Sequence, residues 1–375
     1  MNVRIFLLAI LLTTPHISSF DRVSGKDFAS RSEVIAKNGM VATSHPLATQ
    51  IGLDILKKGG NAIDAAIGAN IALGLMEPTG NGIGGDLFVI IWDEESKKLY
   101  GLNASGPSPK DITIDYFEEN NLSKIPSYGP LPITVPGAVD GWIKMHERFG
   151  SMNFEDLFIP TINYARNGFP ITETIAYYLK GSSERFKSYP NFKDIWMPNN
   201  EILMKGDFFK NPHLANTLEI ISKTKRKSFY EGEIAKVMAS FVREEGGFLS
   251  ANDLSSFHAE WVEPVSTNYR GYDVWELPPN GQGIAALQIL NLLENYDLKK
   301  MGLFSSEYIH YFVEAKKLAF EDRAKYYADP NFNQINTKYL ISKEYALKRM
   351  KLIDSSKSMK SVEAGILKDG DTIYL

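Results

Sequence analysis

The chain has 375 residues, 44% of them hydrophobic and 23% charged, which is ordinary globular usage and excludes a disordered or fibrous polypeptide. Basic residues number 41 against 45 acidic ones, a net charge of −4, so the basic excess that binds a phosphate backbone is missing and no nucleic-acid partner is expected. Cysteine is absent, which excludes disulfides, thiolate metal sites and a cysteine nucleophile.

The first residues carry Arg4, an apolar run from Ile5 to Leu12, then Thr13-Thr14-Pro15 and Ser18-Ser19. A positive start, a short apolar stretch and small residues beyond it predict a secretory signal over residues 1–20 and a secreted or periplasmic product. The run is well short of the roughly 20 apolar residues that cross a bilayer; the bland alternative is a buried N-terminal strand or helix.

Helical spacing predicts a helix over His45 to Lys58, capped by Ser44 and stopped at Gly59-Gly60. A second helix follows from Asn61 to Met76, with Asn61 as cap, Asp64 three residues on, and alanines and glycines allowing close packing. The unbroken apolar run Leu87–Trp92 reads as a buried strand, paired with Leu99–Leu102 through a turn at Asp93–Lys98. Helices are expected over Val139–Phe149, Phe154–Asn167, Gly232–Glu245 and Gly283–Tyr296, with a strand at Tyr272–Glu276. Ser305–Tyr327 reads as a long amphipathic helix with Lys317 and Glu321 as an i,i+4 pair. Two stretches read as irregular: Tyr177–Pro212, rich in aromatics, Pro and Asn, and the lysine- and serine-rich Arg349–Gly370, expected to be a mobile surface segment. With no short repeat and no clear linker, one mixed α/β domain is expected rather than two. An alternating strand begins at Asp371 and is cut off at Leu375, as in a precursor cut short.

Candidate chemistry is sparse. Gly80-Asn81-Gly82-Ile83-Gly84-Gly85 fits the G-x-G-x-x-G pattern of dinucleotide sites. That fingerprint needs a strand before it and a helix after it, and here the expected order is reversed. The glycines are better explained by positive-φ turns or close backbone approach. The six histidines, His16, His45, His146, His213, His258 and His310, make no ligand spacing, and His310 with Glu314 reads as an ordinary surface pair. No G-x-S-x-G elbow is present, and Leu277–Gly283 reads as turn chemistry between a strand and a helix. No metal and no cofactor are expected.

Taken together, several strings resemble the γ-glutamyltranspeptidase family: Asn38–Ala48, Gly59–Ala66, Glu77–Gly85, Val135–Val139, Arg166–Gly168, Phe229–Gly232, Tyr269–Tyr272 and Glu314–Arg323. They run in the family's order from about Val34 onward. The resemblance implies an α/β fold, the αββα sandwich of the N-terminal nucleophile hydrolases, present here as an incomplete large-subunit part. It implies a precursor that cuts itself in two, with residues 34–371 as the large-subunit region of a single αββα domain and 372–375 as the start of the small subunit.

By the same resemblance the scissile bond is Asp371–Thr372, and Thr372 becomes the N-terminal nucleophile. The chemistry is reasonable, because a hydroxyl needs a base and an α-amino group of pKa about 7.7–8 is partly neutral near pH 7 to 8. Thr372 Oγ would attack the γ-amide of glutathione or a related amide, giving an ester resolved by water or an amino acid. The small-molecule γ-glutamyl substrate and the small subunit from the same precursor are the expected partners.

One position departs from the family. The large-subunit arginine that grips the glutamyl α-carboxylate matches Asn103, within Gly101–Pro107. Asparagine donates a hydrogen bond but makes no guanidinium fork. A charged hydrogen bond contributes about 1.5–3 kcal/mol, so roughly one to two decades of affinity are lost. This pattern is similar to acylase-like relatives, including cephalosporin acylases. The family's remaining acyl-site contacts, its serine pair and oxyanion glycines, correspond to positions beyond Leu375. Three readings follow: a transpeptidase-like precursor, an N-terminal nucleophile acylase acting on another amide, and a truncated non-catalytic binding protein.

Overall fold

The computed structural model describes residues 32–367; the expected signal segment and the Asp371–Thr372 bond lie outside the described residues. Residues from Val41 onward form one unit, separate from the stretch ending at Met40, in which residues 32–40 are exposed and carry neither helix nor strand. Helix α1 (Pro46–Lys57) starts one residue later than expected. Its cap is His45 rather than Ser44: Pro46 fills the first helical position and His45 Nδ1 accepts the Leu47 N–H at 3.3 Å. Gly59, at φ +96°, ends the helix as expected.

Helix α2 (Ala62–Met76) has the full reciprocal capping box of Asn61 and Asp64. Small residues bring it against α1, where a Cβ at Gly68 would meet Ile55 Cδ1 at 2.2 Å. Asp64 is fully buried and serves a second segment as well. Its carboxylate accepts Ser151 Oγ–H at 2.5 Å and the N–H groups of Ser151 and Met152 at 3.1 and 3.3 Å.

Strands β1 (Leu87–Asp93) and β2 (Lys98–Ala104) form the expected antiparallel hairpin, closing at Asp93↔Lys98. β1 is not buried on both faces, however. Leu87, Val89 and Ile91 turn inward, whereas Phe88, Ile90 and Trp92 are 43%, 40% and 54% exposed. An unbroken apolar run reports how many residues are apolar, not what covers each face.

Helix α3 (Ala138–Phe149) lies under the inward face, where a Cβ at Gly141 would meet Leu87 Cδ2 at 2.7 Å and Ala104 Cβ at 2.9 Å. Fully buried Trp142 ties α3 to α2 through its Nε1–H to Asn70 Oδ1 at 2.7 Å. The expected helix over Phe154–Asn167 divides into a 3-10 turn (Phe154–Leu157) and α4 (Ile159–Asn167), which Pro160 enters in its first turn.

The irregular stretch expected from Tyr177 is wrong at its start. Residues Glu173–Phe186 form helix α5, which buries Ile175, Leu179 and Ser183 at four-residue spacing. Aromatic-rich composition gave weak helix propensity, and packing overrode it. Helices α6 (Pro212–Thr224) and α7 (Glu233–Glu244) complete the larger core. Strand β3 (Glu260–Val262) then pairs with β2, giving the three-stranded order β1-β2-β3 in a mixed α/β fold.

Strands β4 (Val265–Tyr269) and β5 (Tyr272–Glu276) form a separate hairpin whose two-residue turn places Arg270 at φ +53° and Gly271 at +91°. Helix α8 (Ile284–Leu293) joins two smaller apolar clusters, one reaching this hairpin and the other containing α9 (Ser306–Tyr326). Two expected pairings on α9 are replaced. Lys317 bonds Glu314 at 2.7 Å rather than Glu321, and Glu314 is 1% exposed, accepting the Met359 N–H at 2.9 Å instead of pairing with His310 at the surface. His310 Nε2 lies 2.7 Å from the Asp354 carbonyl.

Helix α10 (Lys343–Arg349) precedes the segment expected to be mobile. Its described part is anchored: Leu367 is buried, and Gly365 is bonded through both its N–H and its C=O. Low apolar content hid an attachment made by backbone groups.

Asp64→Ala strands donors on two segments at once. We expect a loss on the order of 3 kcal/mol, seen as a lower urea midpoint with an unchanged m value. A loss below about 1 kcal/mol would contradict this account.

Candidate functional site

The sequence around Asn103 closes into a polar ring. Asn103 lies in β2 between Phe88 of β1 and Glu260 of β3. Its Oδ1 accepts the Ser105 N–H at 3.0 Å, an Asx turn where β2 ends, and the Ser105 Oγ–H at 2.7 Å. Its Nδ2 donates to Asn280 Oδ1 at 2.7 Å, and Asn280 Nδ2 donates back to Ser105 Oγ at 2.9 Å. Three neutral side chains therefore satisfy one another in a circle. No base accepts the Ser105 proton, so Ser105 is not an activated nucleophile.

The ring sits beside the glycine loop. Leu87 opposes Ala104, so Asp86 and Gly85 lie one and two steps beyond that pair. The Gly85 carbonyl accepts two N–H groups at the start of α3, from Gly137 and Ala138, each at 2.9 Å. Helix α2 precedes the loop and β1 follows it, the order that rules against a dinucleotide fingerprint. No glycine of the loop has a positive φ, so that expected explanation fails. Close approach accounts for part of the loop: a Cβ at Gly74 would lie 3.3 Å from Gly82 Cα. A Cβ at Gly82 or Gly84 itself would meet nothing within 4 Å, so the loop's outer surface is open backbone beside the ring.

Asp86 stands at the rim of this surface. Neighbouring protein desolvates its carboxyl and pushes the pKa above the ordinary 3.8, against an opposing hydrogen bond from the Gly106 backbone. Leu277, Gly281, Gln282 and Gly283 of the Leu277–Gly283 turn line a cavity of about 270 Å³ with Phe88, Val89 and Ile90, and Gln282 Oε1 accepts from Arg323 of α9 at 2.5 Å. The turn thus does more than reverse the chain, since Asn280 delivers a side chain to Asn103.

Two glycines set the spacing. A Cβ at Gly106 would fall 1.8 Å from the Val135 carbonyl oxygen, and one at Gly137 would fall 1.9 Å from that of Ala104. Behind them, the hydroxyl of fully buried Tyr230 donates to the Pro136 carbonyl at 2.7 Å and accepts the Asp140 N–H at 3.1 Å. Burial raises the Tyr230 pKa strongly, so this O–H remains a neutral donor. Asp140 takes the Arg226 guanidinium at 2.6 Å and the Ala259 N–H at 2.6 Å.

Among the site residues expected from sequence, Asn103 belongs to this cluster, while Asp371 and Thr372 lie outside the described residues. Sequence reading missed Asp86, Ser105 and Asn280. A carboxylate directly after a glycine loop was a usable signal for Asp86; nothing local linked Asn280 to a residue 177 positions away. Of the histidines, buried His45 caps α1, with its pKa lowered by burial, and His146 Nε2 lies 2.8 Å from the Met152 carbonyl. Among the described residues no helix is long and apolar enough to cross a membrane.

The described residues form a mixed α/β unit with helices under one face of a sheet and an open glycine loop beside the Asn103 ring, and the solved structures it is similar to are γ-glutamyltranspeptidases and related N-terminal nucleophile hydrolases. The γ-glutamyltranspeptidase family profile matches residues 48–375, and the chain belongs to that family. It is 38% identical over 314 residues to the glutathione hydrolase-like YwrD proenzyme of Bacillus subtilis, covering 84% of this chain and 59% of that protein. Its structure is similar to the Helicobacter pylori γ-glutamyltranspeptidase, with a TM-score of 0.84 and 32% identity, covering 91% of this chain and 100% of that one. It is also similar to the cephalosporin acylase of Bacillus halodurans, with a TM-score of 0.82 and 41% identity, covering 89% of this chain and 63% of that one. The chain spans 57–59% of the length of the first curated relatives it matches.

The raised Asp86 pKa has a stability consequence. Its ionised form is disfavoured on folding, so the folded protein holds this proton to higher pH than the unfolded chain does. Stability from this group is full below 3.8 and is lost as pH rises through the folded pKa. Asp86→Asn is therefore expected to raise the urea midpoint at pH 7, with the difference vanishing below pH 3.8. A variant less stable than the parent at pH 7 would refute this.

Proposed function

We propose that this chain is the large-subunit region of a self-processing γ-glutamyltranspeptidase-like precursor, acting by acyl transfer through Thr372. The observation that carries the reading is a contrast in coverage. The chain covers the whole of the H. pylori γ-glutamyltranspeptidase chain but less than three fifths of the proenzymes, as expected for one product of a precursor cut in two. The exposed apolar face of β1 supports it, because a second sheet packed on Phe88, Ile90 and Trp92 is what an αββα sandwich needs.

Hydrolysis of the Asp371–Thr372 peptide bond consumes one water and leaves a carboxylate on Asp371 and a free amine on Thr372. That amine then serves the hydroxyl beside it as base. Oγ attacks the substrate amide carbon while the amine takes the Oγ proton and passes it to the departing nitrogen. Water or an amino acid attacks the resulting ester, the acyl group leaves, and the hydroxyl regains its proton. The open glycine loop and the Asn103 ring are where the acyl group would lie.

The ring favours a second reading of the substrate. Asn103 offers neutral donors already engaged with Asn280, which suits a neutral or hydrogen-bonding acyl group better than a bare α-carboxylate. The similarity to a cephalosporin acylase points the same way. In this reading the threonine chemistry is kept and the amide changes.

N-terminal sequencing of the purified full-length product tests the processing: a fragment beginning at Thr372 is expected, and Thr372→Ala should abolish both cleavage and turnover. An intact chain, or activity retained by the alanine variant, would overturn the catalytic reading. Kinetics on γ-glutamyl anilide against glutaryl amides separate the two substrates. Asn103→Arg should raise kcat/KM on the γ-glutamyl compound by roughly ten- to a hundredfold, the loss assigned to the missing charge. No gain would remove Asn103 from the acyl site.

A further inference from the structure

Residues 359–367 form a strap held across α9 by a buried carboxylate. Asp322 is 1% exposed, and its two oxygens serve four groups from three other elements. Oδ2 accepts Gln288 Nε2–H of α8 at 2.9 Å and the Tyr345 hydroxyl of α10 at 2.8 Å. Oδ1 accepts the Gly365 N–H at 2.8 Å and lies 3.4 Å from the Arg349 guanidinium. The Gly365 carbonyl accepts the Tyr326 hydroxyl, and Arg349 donates to the Glu363 carbonyl at 2.8 Å. Upstream, Glu314 and Lys317 hold the N–H and C=O of Met359.

The geometry points to Asp322 as a positioning residue for chain cleavage: through Gly365 it fixes the register and origin of the short segment that carries the Asp371–Thr372 bond. This inference rests on the cleavage reading above. Apolar packing alone would hold α8, α9 and α10 together at less desolvation cost, but it would let the strap slide. A carboxylate that accepts one particular backbone N–H selects one residue. Gly365 is that residue because any Cβ there would fall 2.1 Å from Tyr345 Oη. Five residues lie between Gly365 and Asp371, so chain length alone keeps the scissile bond within about 20 Å of the clamp. Burial and the adjacent Asp322 charge raise the Tyr345 pKa, which keeps its hydroxyl protonated as a donor.

The test follows cleavage of freshly translated full-length precursor by the appearance of a Thr372 terminus, alongside thermal melting and kcat and KM per mole of that terminus. Asp322→Asn and Gly365→Ala are expected to slow cleavage roughly tenfold or more, while the molecules that do cleave keep the parental kcat and KM. Inserting Gly-Ser-Gly after Lys368 touches neither the clamp nor Leu367, and lengthens the leash. It should slow cleavage comparably with an unchanged melting temperature, which a purely structural role for Asp322 would not produce. Parental cleavage rates in the insertion and in Asp322→Asn would overturn the inference while leaving Thr372 processing intact. So would a parental rate in the insertion with Asp322→Asn losing melting temperature, cleavage and turnover together. A parent that never yields a Thr372 terminus overturns the processing reading itself, and the inference with it.

Discussion

Two N–H groups at the start of α3 converge on the Gly85 carbonyl, and the site's geometry depends on that junction. It fixes where the glycine loop ends, and so where β1 begins and which residue of β2 falls beside the loop. The approach works only because Gly106 and Gly137 lack side chains where neighbouring carbonyls come closest. Tyr230 and the Asp140–Arg226 pair hold the same helix end from behind. A one-residue slip here would turn Asn103 to the other face of the sheet.

Buried carboxylates recur as staples between distant segments. Asp64 accepts backbone N–H groups from Ser151 and Met152, Asp140 from Ala259, Asp253 from Lys110, Glu314 from Met359 and Asp322 from Gly365. Each is on a helix, Asp253 on the short helix Ala251–Ser256, and each reaches the backbone of a segment distant in sequence. An ionised carboxylate offers about four lone-pair sites and forms stronger hydrogen bonds than a neutral acceptor. That suits it to fixing one backbone group of a neighbouring segment in place. Within the family strings Glu314–Arg323 and Phe229–Gly232, Asp322 and Tyr230 hold backbone groups of other segments.

The glycine loop offers an open backbone surface beside a self-satisfied amide ring. Preorganisation of this kind favours selectivity by shape and hydrogen bonding over capture by charge. Asp86 adds a carboxyl whose pKa is raised by the protein around it.

Local rules of backbone chemistry made much of the fold legible. The Asn61–Asp64 box, the glycine stop at Gly59, the β1–β2 turn and most of the helices could be placed because each depends on residues within a turn or two. The family strings, read in order, determined the family and drew attention to Asn103. Tertiary structure decided what faces what: the half-exposed β1, the helix at Glu173–Phe186, the pinned strap, and the meeting of Asn103 with Ser105 and Asn280. Those outcomes rest on contacts between segments far apart in the chain, and no periodicity or local propensity encodes such a pairing.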